Sequence, residues 1–315
     1  MKKIIKYNFI IAVVALFSCS SAIAQQLPQF TQYMFNTISI NPAYAGSRGT
    51  LNFTGLHRSQ WVGLEGAPET QTASLHTPLR NEKVGLGLSF INDHLGFENF
   101  SYVYGDFSYT IQTGLKTKLA LGLKAGFTFF NLDQELLTDP TVIPDPFFNE
   151  FSNRIVPNFG VGAYWHSDRW YVGLSAPRIL NNDYNETRSN VNAEFVALER
   201  VNYFLTAGYV FDLSAHTKFK PSFLARATNG APASFDFTAN FLFNEKFWLG
   251  AAYRINERTE ALGALADFQI SKQLRIGYAY EYPLSDLRSF TGGTHEILLI
   301  FEVFKSKRIK SPRYF

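Results

Sequence analysis

Apolar residues occupy every second position over much of the chain. In the stretch SFDFTANFLF (234–243), polar residues share one face and apolar residues share the other: Phe235, Phe237, Ala239, Phe241 and Phe243. The stretches FWLGAAYRI (247–255) and LRIGYAYEY (274–282) place small, polar or charged residues opposite the apolar ones in the same way. A period of two is typical of β-strands, since an amphipathic α-helix needs a period of 3.6. The pattern predicts an all-β protein.

About fourteen segments carry such strand-like patterns, and turn-forming residues separate them. They lie at 50–57, 71–77, 84–92, 101–111, 118–131, 157–166, 170–176, 200–211, 218–227, 234–243, 247–255, 261–270, 274–282 and 295–304. One apolar face and one polar or small face fit a wall that separates lipid from a polar lumen.

The connections between these segments alternate in length. SDR (167–169), NEK (244–246) and SKQ (271–273) are short, whereas the long connections lie at 59–70, 132–156, 177–199 and 283–294. A soluble sandwich or propeller would show the same residue alternation with the faces reversed. Short periplasmic turns and longer outside loops are typical of outer-membrane barrels. We therefore predict a transmembrane antiparallel β-barrel of about 14 strands over residues 50–304, with both chain termini periplasmic.

Composition supports a membrane wall that does not consist of helices. Aromatic residues make up 16% of the chain, with 31 Phe and 16 Tyr, yet the mean hydropathy is only −0.08. After the first 24 residues no apolar stretch approaches the length of about 18 residues that a spanning helix needs. Much apolar surface in short alternating segments indicates a barrel in the outer membrane.

The first 24 residues resemble a secretion signal, with a basic start, an apolar run and the cleavage site Ala22-Ile23-Ala24. A lipoprotein signal that uses Cys19, the only cysteine, is the alternative. Cleavage after residue 24 removes three lysines and lowers the basic count from 29 to 26, which equals the acidic count. A nearly neutral chain gives no electrostatic basis for binding nucleic acid, and without cysteine no disulfide is possible.

Residues 25–49 alternate at neither period. The core of this segment, QFTQYMFNTISINPAYAG (29–46), is uncharged and rich in aromatic and amide side chains. A barrel of this size has a lumen wider than its own side chains fill, and an uncharged segment is cheap to desolvate there. We expect the segment to be a plug in the lumen or an element of the periplasmic rim, through Tyr33, Met34, Phe35, Asn36, Asn41, Pro42, Tyr44 and Gly46.

The sequence contains no phosphate loop, nucleotide fingerprint or zinc pattern such as His-Glu-x-x-His. His57, His76 and Ser59 lie near one rim, but polar rim residues explain them better than a catalytic triad does. We therefore expect no enzymatic activity, no cofactor and no metal site.

Charges of both signs are expected on the lumen face: Lys124, Arg226, Asp236, Arg254, Asp267, Arg275, Glu281, Glu296 and Glu302. A selective porin would concentrate one sign at a constriction. Arg254, Asp267 and Arg275 come from consecutive strands, so the sequence predicts that they form a bridged row that closes the interior; an ion path is the alternative.

The first outer loop begins with a second candidate site. His57, Arg58, Gln60 and Trp61 either form a recognition patch, since exposed Trp and Arg anchor interfaces, or belong to the aromatic belt at the membrane interface. Both interpretations stay open at this stage.

Three motifs of the chain resemble the PorP/SprF family of Bacteroidota outer-membrane proteins: Tyr-Met-Phe-Asn (33–36), Asn-Pro-Ala-Tyr-Ala-Gly (41–46) and His-Arg-Ser-Gln-Trp (57–61). The C-terminal KSPRYF (310–315), within a basic tail at 305–315, is also similar. The resemblance implies a component of type IX secretion, in many cases linked to gliding motility or surface attachment.

The same resemblance implies the partners. They are outer-membrane lipid, an exported surface adhesin or its C-terminal domain, and periplasmic and outer-membrane components of the secretion system. The rival function is an outer-membrane channel for hydrophobic small molecules, because barrels of similar strand number with an N-terminal plug serve that purpose.

Overall fold

A computed structural model describes residues 27–133, 154–182, 184, 199–257 and 259–303. The expected leader at 1–24, with Cys19, and the expected tail at 305–315 lie outside the described residues, as does most of the connection at 132–156. Within the described ranges, no helix is long and apolar enough to cross a membrane.

The wall is a closed antiparallel β-barrel. Its elements are β1 (Leu51–Ser59), β2 (Glu69–Pro78), β3 (Val84–Leu95), β4 (Glu98–Gln112), β5 (Lys118–Leu132), β6 (Arg154–His166), β7 (Trp170–Ala176), β8 (Asn202–Tyr209), β9 (Phe211–Asp212), β10 (Thr217–Thr228), β11 (Ala231–Phe243), β12 (Phe247–Ile255), β13 (Glu260–Gln269), β14 (Leu274–Pro283) and β15 (Thr294–Val303). Sequence neighbours pair along the barrel, and β1 pairs with β15, so the sheet has no free edge.

The barrel has fourteen wall strands because β8 and β9 are two parts of one strand. Both pair with β10, and Val210 between them interrupts the ladder. The Val210 amide instead donates to the carbonyl of Arg169 at 2.7 Å, and its side chain is buried. The predicted fold class, an all-β antiparallel barrel of about 14 strands, is confirmed.

The two faces of the wall differ as the alternation predicts. Outward-facing side chains are large and apolar, such as Leu88, Leu123 and Leu174, each about 60% exposed. Inward-facing positions are mostly polar, charged or small, with large apolar residues such as Leu242, Trp248 and Leu298 where the lumen is filled, and almost all of them are buried. Their burial means that the lumen is occupied.

The two ends of the barrel differ in their connections. At one end, here called the short-turn end, the connections lie at 79–83, 113–117, 167–169, 213–216, 244–246 and 270–273. The other end, here called the long-loop end, carries the long connections at 60–68, 133–153, 177–201 and 284–293. It also carries tight connections at 96–97, 229–230 and 256–259.

Residues 27–50, here called the lumen segment, lie inside the barrel. They form three 3₁₀ turns, Tyr33–Phe35, Thr37–Ser39 and Pro42–Tyr44. Two hydrophobic clusters join this segment to the wall: one around Met34 and Phe35 against β10 to β15, and one around Ile38 and Tyr44 against β5 to β7.

Candidate functional site: the lumen segment and the long-loop mouth

The irregular course of the lumen segment follows from its amide and proline residues. Asn41 has extended backbone angles, and its side-chain oxygen accepts a hydrogen bond from the amide of Ala43 at 3.0 Å. Pro42 then occupies the first position of the turn, where its missing N–H costs nothing. The chain can therefore turn tightly within the lumen without leaving these backbone groups unpaired.

Aromatic side chains fill the half of the lumen that β10 to β15 enclose. Phe35 meets Trp248 edge to face with ring centroids 5.8 Å apart. The Arg275 guanidinium lies 3.8 Å from the centre of the Phe35 ring, and the Lys220 ammonium lies 4.8 Å from it. Cation–π contacts of this kind stabilise a buried charge next to an uncharged segment.

On the opposite side, glycines let the lumen segment approach the wall closely. A side chain at Gly122 would collide with the backbone of Ala43, and one at Gly162 would collide with the amide of Asn41. Wall hydroxyls also hold the segment: Ser108 donates to the carbonyl of Ala45 at 2.6 Å, and Ser175 donates to that of Ile40 at 2.7 Å. The wall and the segment therefore fit each other at the level of the backbone.

An ion pair secures the segment at the short-turn end. The Arg48 Nε donates to Glu302 Oε1 at 2.7 Å, and both side chains are more than nine-tenths buried. Nearby, the amide of Gly46 donates to Nδ1 of His76 at 3.1 Å.

A second ionic cluster secures the segment near the long-loop end. The carboxylate of Glu296 accepts the backbone amides of Thr31 at 2.6 Å and Gln32 at 3.0 Å, and it also pairs with the Arg58 guanidinium. Glu281 accepts the Thr31 hydroxyl at 2.8 Å and pairs with Arg58 at 3.3 Å. The Glu296 carboxylate thus holds the backbone of the segment through two consecutive amides, and its negative charge is paired with Arg58.

Three described residues of the connection after β7 contact the wall near the mouth. Tyr184 packs its ring against Phe100 and Phe130, with centroids 5.4 and 5.3 Å away, and its hydroxyl donates to Glu199 at 3.0 Å. Arg178 pairs with Glu199 at 3.0 Å and lies over the Tyr102 ring. These residues therefore lie against β4 and β5.

Two cavities lie beside the described part of the segment. A cavity next to Phe30 and Tyr104 holds about 20 Å³, roughly one water molecule. A larger cavity of about 190 Å³ lies at the long-loop mouth, where Leu27, Gln60 and Trp61 line it.

The eight residues singled out in the segment all lie in the lumen. Seven of them are buried, and Gly46 is half-buried with φ +75°. The lumen location thus replaces the rim location that the sequence left open, while any role of these residues in function stays a prediction.

The predicted charge row is only partly present. Arg275 pairs with Asp267 at 3.1 Å. Arg254, by contrast, does not join them: it pairs with Asp236 at 2.5 Å and with Glu281 at 2.9 Å. In register, Arg254 lies opposite Ala261 and Asp267 lies opposite Trp248, so the two charges occupy different heights in the barrel.

The predicted outer-loop patch is divided by the wall. Arg58 is a buried lumen residue, 2% exposed, and so does not reach the surface. His57 lies on the outer face, and its Nε2 is 3.0 Å from Ser59 Oγ. His76 is a buried lumen residue farther along β2, so the three residues are too far apart to form a triad. Gln60 and Trp61 line the mouth, and the Trp61 amide donates to Thr294 Oγ1 at 3.2 Å.

Sequence reasoning missed Arg48 as a site residue. It placed Glu281, Glu296 and Glu302 on the lumen face, where the structure has them, but gave no sign that the segment itself is their partner. Among the described side chains, no group of three or more His, Cys, Asp or Glu could hold a metal ion.

A family model described as "Type IX secretion system membrane protein PorP/SprF" matches residues 22–301. Among curated proteins, no sequence matches this chain. The similar solved structures include the outer membrane protein Omp33 of Acinetobacter baumannii, with 9% identity, coverage of 81% of this chain and 100% of that chain, and a TM-score of 0.48. They also include the CymD monoaromatic hydrocarbon channel, with 12% identity, coverage of 88% and 92%, and a TM-score of 0.46.

Proposed function

The chain belongs to the PorP/SprF family of type IX secretion system membrane proteins, and we propose that it acts there as a closed, non-enzymatic outer-membrane component. In this role its long-loop end receives or anchors an exported surface adhesin. Its short-turn end contacts periplasmic components of the system. Gliding motility or surface attachment is the process that these contacts serve.

The filled lumen is the observation that carries this proposal. From Phe30 to Ala45 every residue of the segment is less than 9% exposed. Arg48 and Glu302 tie the segment to the wall at one end, and Arg58 and Glu296 tie it at the other. The segment occupies the lumen that a channel for hydrophobic molecules would have to open, whereas a receptor or anchor works through its surfaces with the segment in place.

The long-loop end offers a suitable surface for the adhesin. The loops at 60–68 and 284–293 are joined, since the Val62 amide donates to the Gly293 carbonyl at 2.8 Å and the Gly292 amide donates to the Val62 carbonyl at 2.7 Å. Val62 is 43% exposed and Phe290 is 68% exposed on this joined pair. Exposed apolar side chains on loops that hydrogen bonds hold in place are typical of protein contact sites.

Charge supports two different partners at the two ends. The connections of the long-loop end carry twelve acidic and five basic residues. Those of the short-turn end carry three acidic and six basic residues, and the tail at 305–315 adds five basic ones. Complementary partners, basic outside and acidic in the periplasm, would be steered to opposite ends.

A matched pair of surface variants tests the proposal. In a strain that lacks the native gene, Phe290→Ser should reduce the amount of adhesin retained on the cell surface. Leu115→Ser, at a fully exposed aliphatic residue of the short-turn end, should leave surface retention unchanged. Equal retention in both strains, or measurable ion conductance of the purified wild-type barrel in planar bilayers, would contradict a closed receptor.

A further inference from the structure

The lumen segment has a direction, and its first described residues lie at the long-loop end. The Arg226 guanidinium donates to the carbonyl of Leu27 at 2.9 Å. Arg226 is near the end of β10, which runs toward the long-loop end. The side chain of Gln29 hydrogen-bonds Ser234 Oγ at 3.1 Å, just after the tight turn that joins β10 to β11 at the same end.

Further contacts place the next residues slightly deeper at the same end. Thr31 contacts Glu281, near the end of β14, and Glu296, near the start of β15. The 190 Å³ cavity at the mouth is lined by Leu27 and Pro28 together with Trp61. All these wall residues border connections of the long-loop end.

The last residues of the segment lie at the opposite end. Arg48 pairs with Glu302, one residue before the end of β15. Gly46 contacts His76, near the end of β2, and a side chain at Gly46 would touch Pro78, the last residue of that strand. Both β2 and β15 end at the short-turn end, and β1 begins there at Leu51.

The chain therefore passes through its own barrel once before it builds the wall. From these contacts we infer that the lumen segment runs from the cell exterior to the periplasmic side, so that Leu27 and Pro28 are presented outside the cell beside Trp61. This inference replaces the expectation of a periplasmic N-terminus. The described chain then begins at Leu27 on the outer side and ends with β15 on the periplasmic side.

The consequence is that Leu27 and Pro28 lie on the extracellular side, beside the mouth cavity and the joined loops that carry Val62 and Phe290. The direction of the segment does not depend on the proposed function.

A labelling experiment on intact cells tests the direction. A Gly-Gly-Cys-Gly-Gly insertion between Gln26 and Leu27 is compared with the same insertion after Ser289, in a long loop, and after Ser271, in a short turn. The unmodified chain, whose only cysteine is Cys19, gives the background labelling. We expect an impermeant maleimide to label the N-terminal and Ser289 insertions on intact cells, and the Ser271 insertion only after the outer membrane is opened.

The result that overturns the inference is equally clear. If the N-terminal insertion is labelled together with the Ser271 insertion, and separately from the Ser289 one, the segment runs the other way. Heat-modifiable migration shows which variants fold, and Pro28→Cys replaces the N-terminal insertion if that variant does not. Because the comparison uses the two ends of the same barrel, the adhesin and its retention play no part in the outcome.

Discussion

Replacing Glu296 by Gln should release the lumen segment from the wall near the long-loop end. The carboxylate accepts two backbone amides, from Thr31 and Gln32, and pairs with Arg58, all in a site where Glu296 is 1% exposed. A Gln side chain has one acceptor oxygen and one NH₂ donor. If the oxygen keeps Thr31 and Arg58, the NH₂ group faces the Gln32 amide, donor against donor.

The magnitude follows from these contacts. A hydrogen bond to a charged group contributes about 1.5–3 kcal/mol, and removing one partner of a buried ion pair costs about 3–5 kcal/mol. Arg58 keeps Glu281 at 3.3 Å, so the ion-pair cost falls toward the lower value. We expect Glu296→Gln to lower the free energy of unfolding by about 3 kcal/mol, measured by urea titration of heat-modifiable migration in lipid vesicles.

Two controls make the reasoning refutable. Glu69 pairs with His57 at 3.8 Å with its side chain 50% exposed, so Glu69→Gln should change the free energy of unfolding by less than about 0.5 kcal/mol. In a barrel that lacks residues 27–47, Glu296→Gln should cost much less, because the two amides are gone and the effects are not additive. If Glu296→Gln matches Glu69→Gln in the full chain, the ionic cluster does not hold the segment.

Three further perturbations test other parts of the fold. Gly122→Val should destabilise the barrel by about 1–3 kcal/mol in urea titration because it displaces Ala43, whereas the outward-facing Gly105→Val should be tolerated. Phe237→Arg places a charge in hydrocarbon and should cost about 2–4 kcal/mol, whereas Phe290→Arg, at the rim, should fold normally; equal defects would mean that the wall faces are misassigned. Deletion of 27–47 should leave a folded barrel with raised planar-bilayer conductance, and unchanged conductance would show that the segment does not seal the lumen.

The wall could be predicted from the sequence because the period of two acts on every strand. Lipid contacts one face and the filled lumen the other, so the type of residue at each position follows from its parity. Strand ends are less well marked. The sequence ends the first strand at residue 57, whereas β1 continues to Ser59. With two more residues in the strand, Arg58 continues the inward parity of Asn52, Thr54 and Leu56, and it becomes a lumen residue.

The pairing of charges could not be predicted from strand order. Arg254 and Asp267 are on neighbouring strands, but the register puts Arg254 near the long-loop end of β12 and Asp267 near the short-turn end of β13. In an antiparallel sheet, height along the barrel depends on the distance of a residue from the turn. The direction of the lumen segment was equally hidden, because its partners are scattered from β1 to β15 and no local pattern marks them.

The passage of residues 27–50 through the lumen restricts the order in which the protein can assemble. The seam of the barrel is the pairing of β1 with β15, and the segment is joined directly to β1. After that seam closes, the segment can enter only if its aromatic residues are drawn through a closed lumen, in which the wall at Gly122 and Gly162 lies directly against Ala43 and Asn41 of the seated segment. Before the seam closes, the open sheet can curl around the segment, with Glu296 and Glu302 of the last strand binding it as they arrive. The segment then serves as the core against which the final strand packs. Its contacts with Glu296 and Glu302 form only when that strand has joined the barrel.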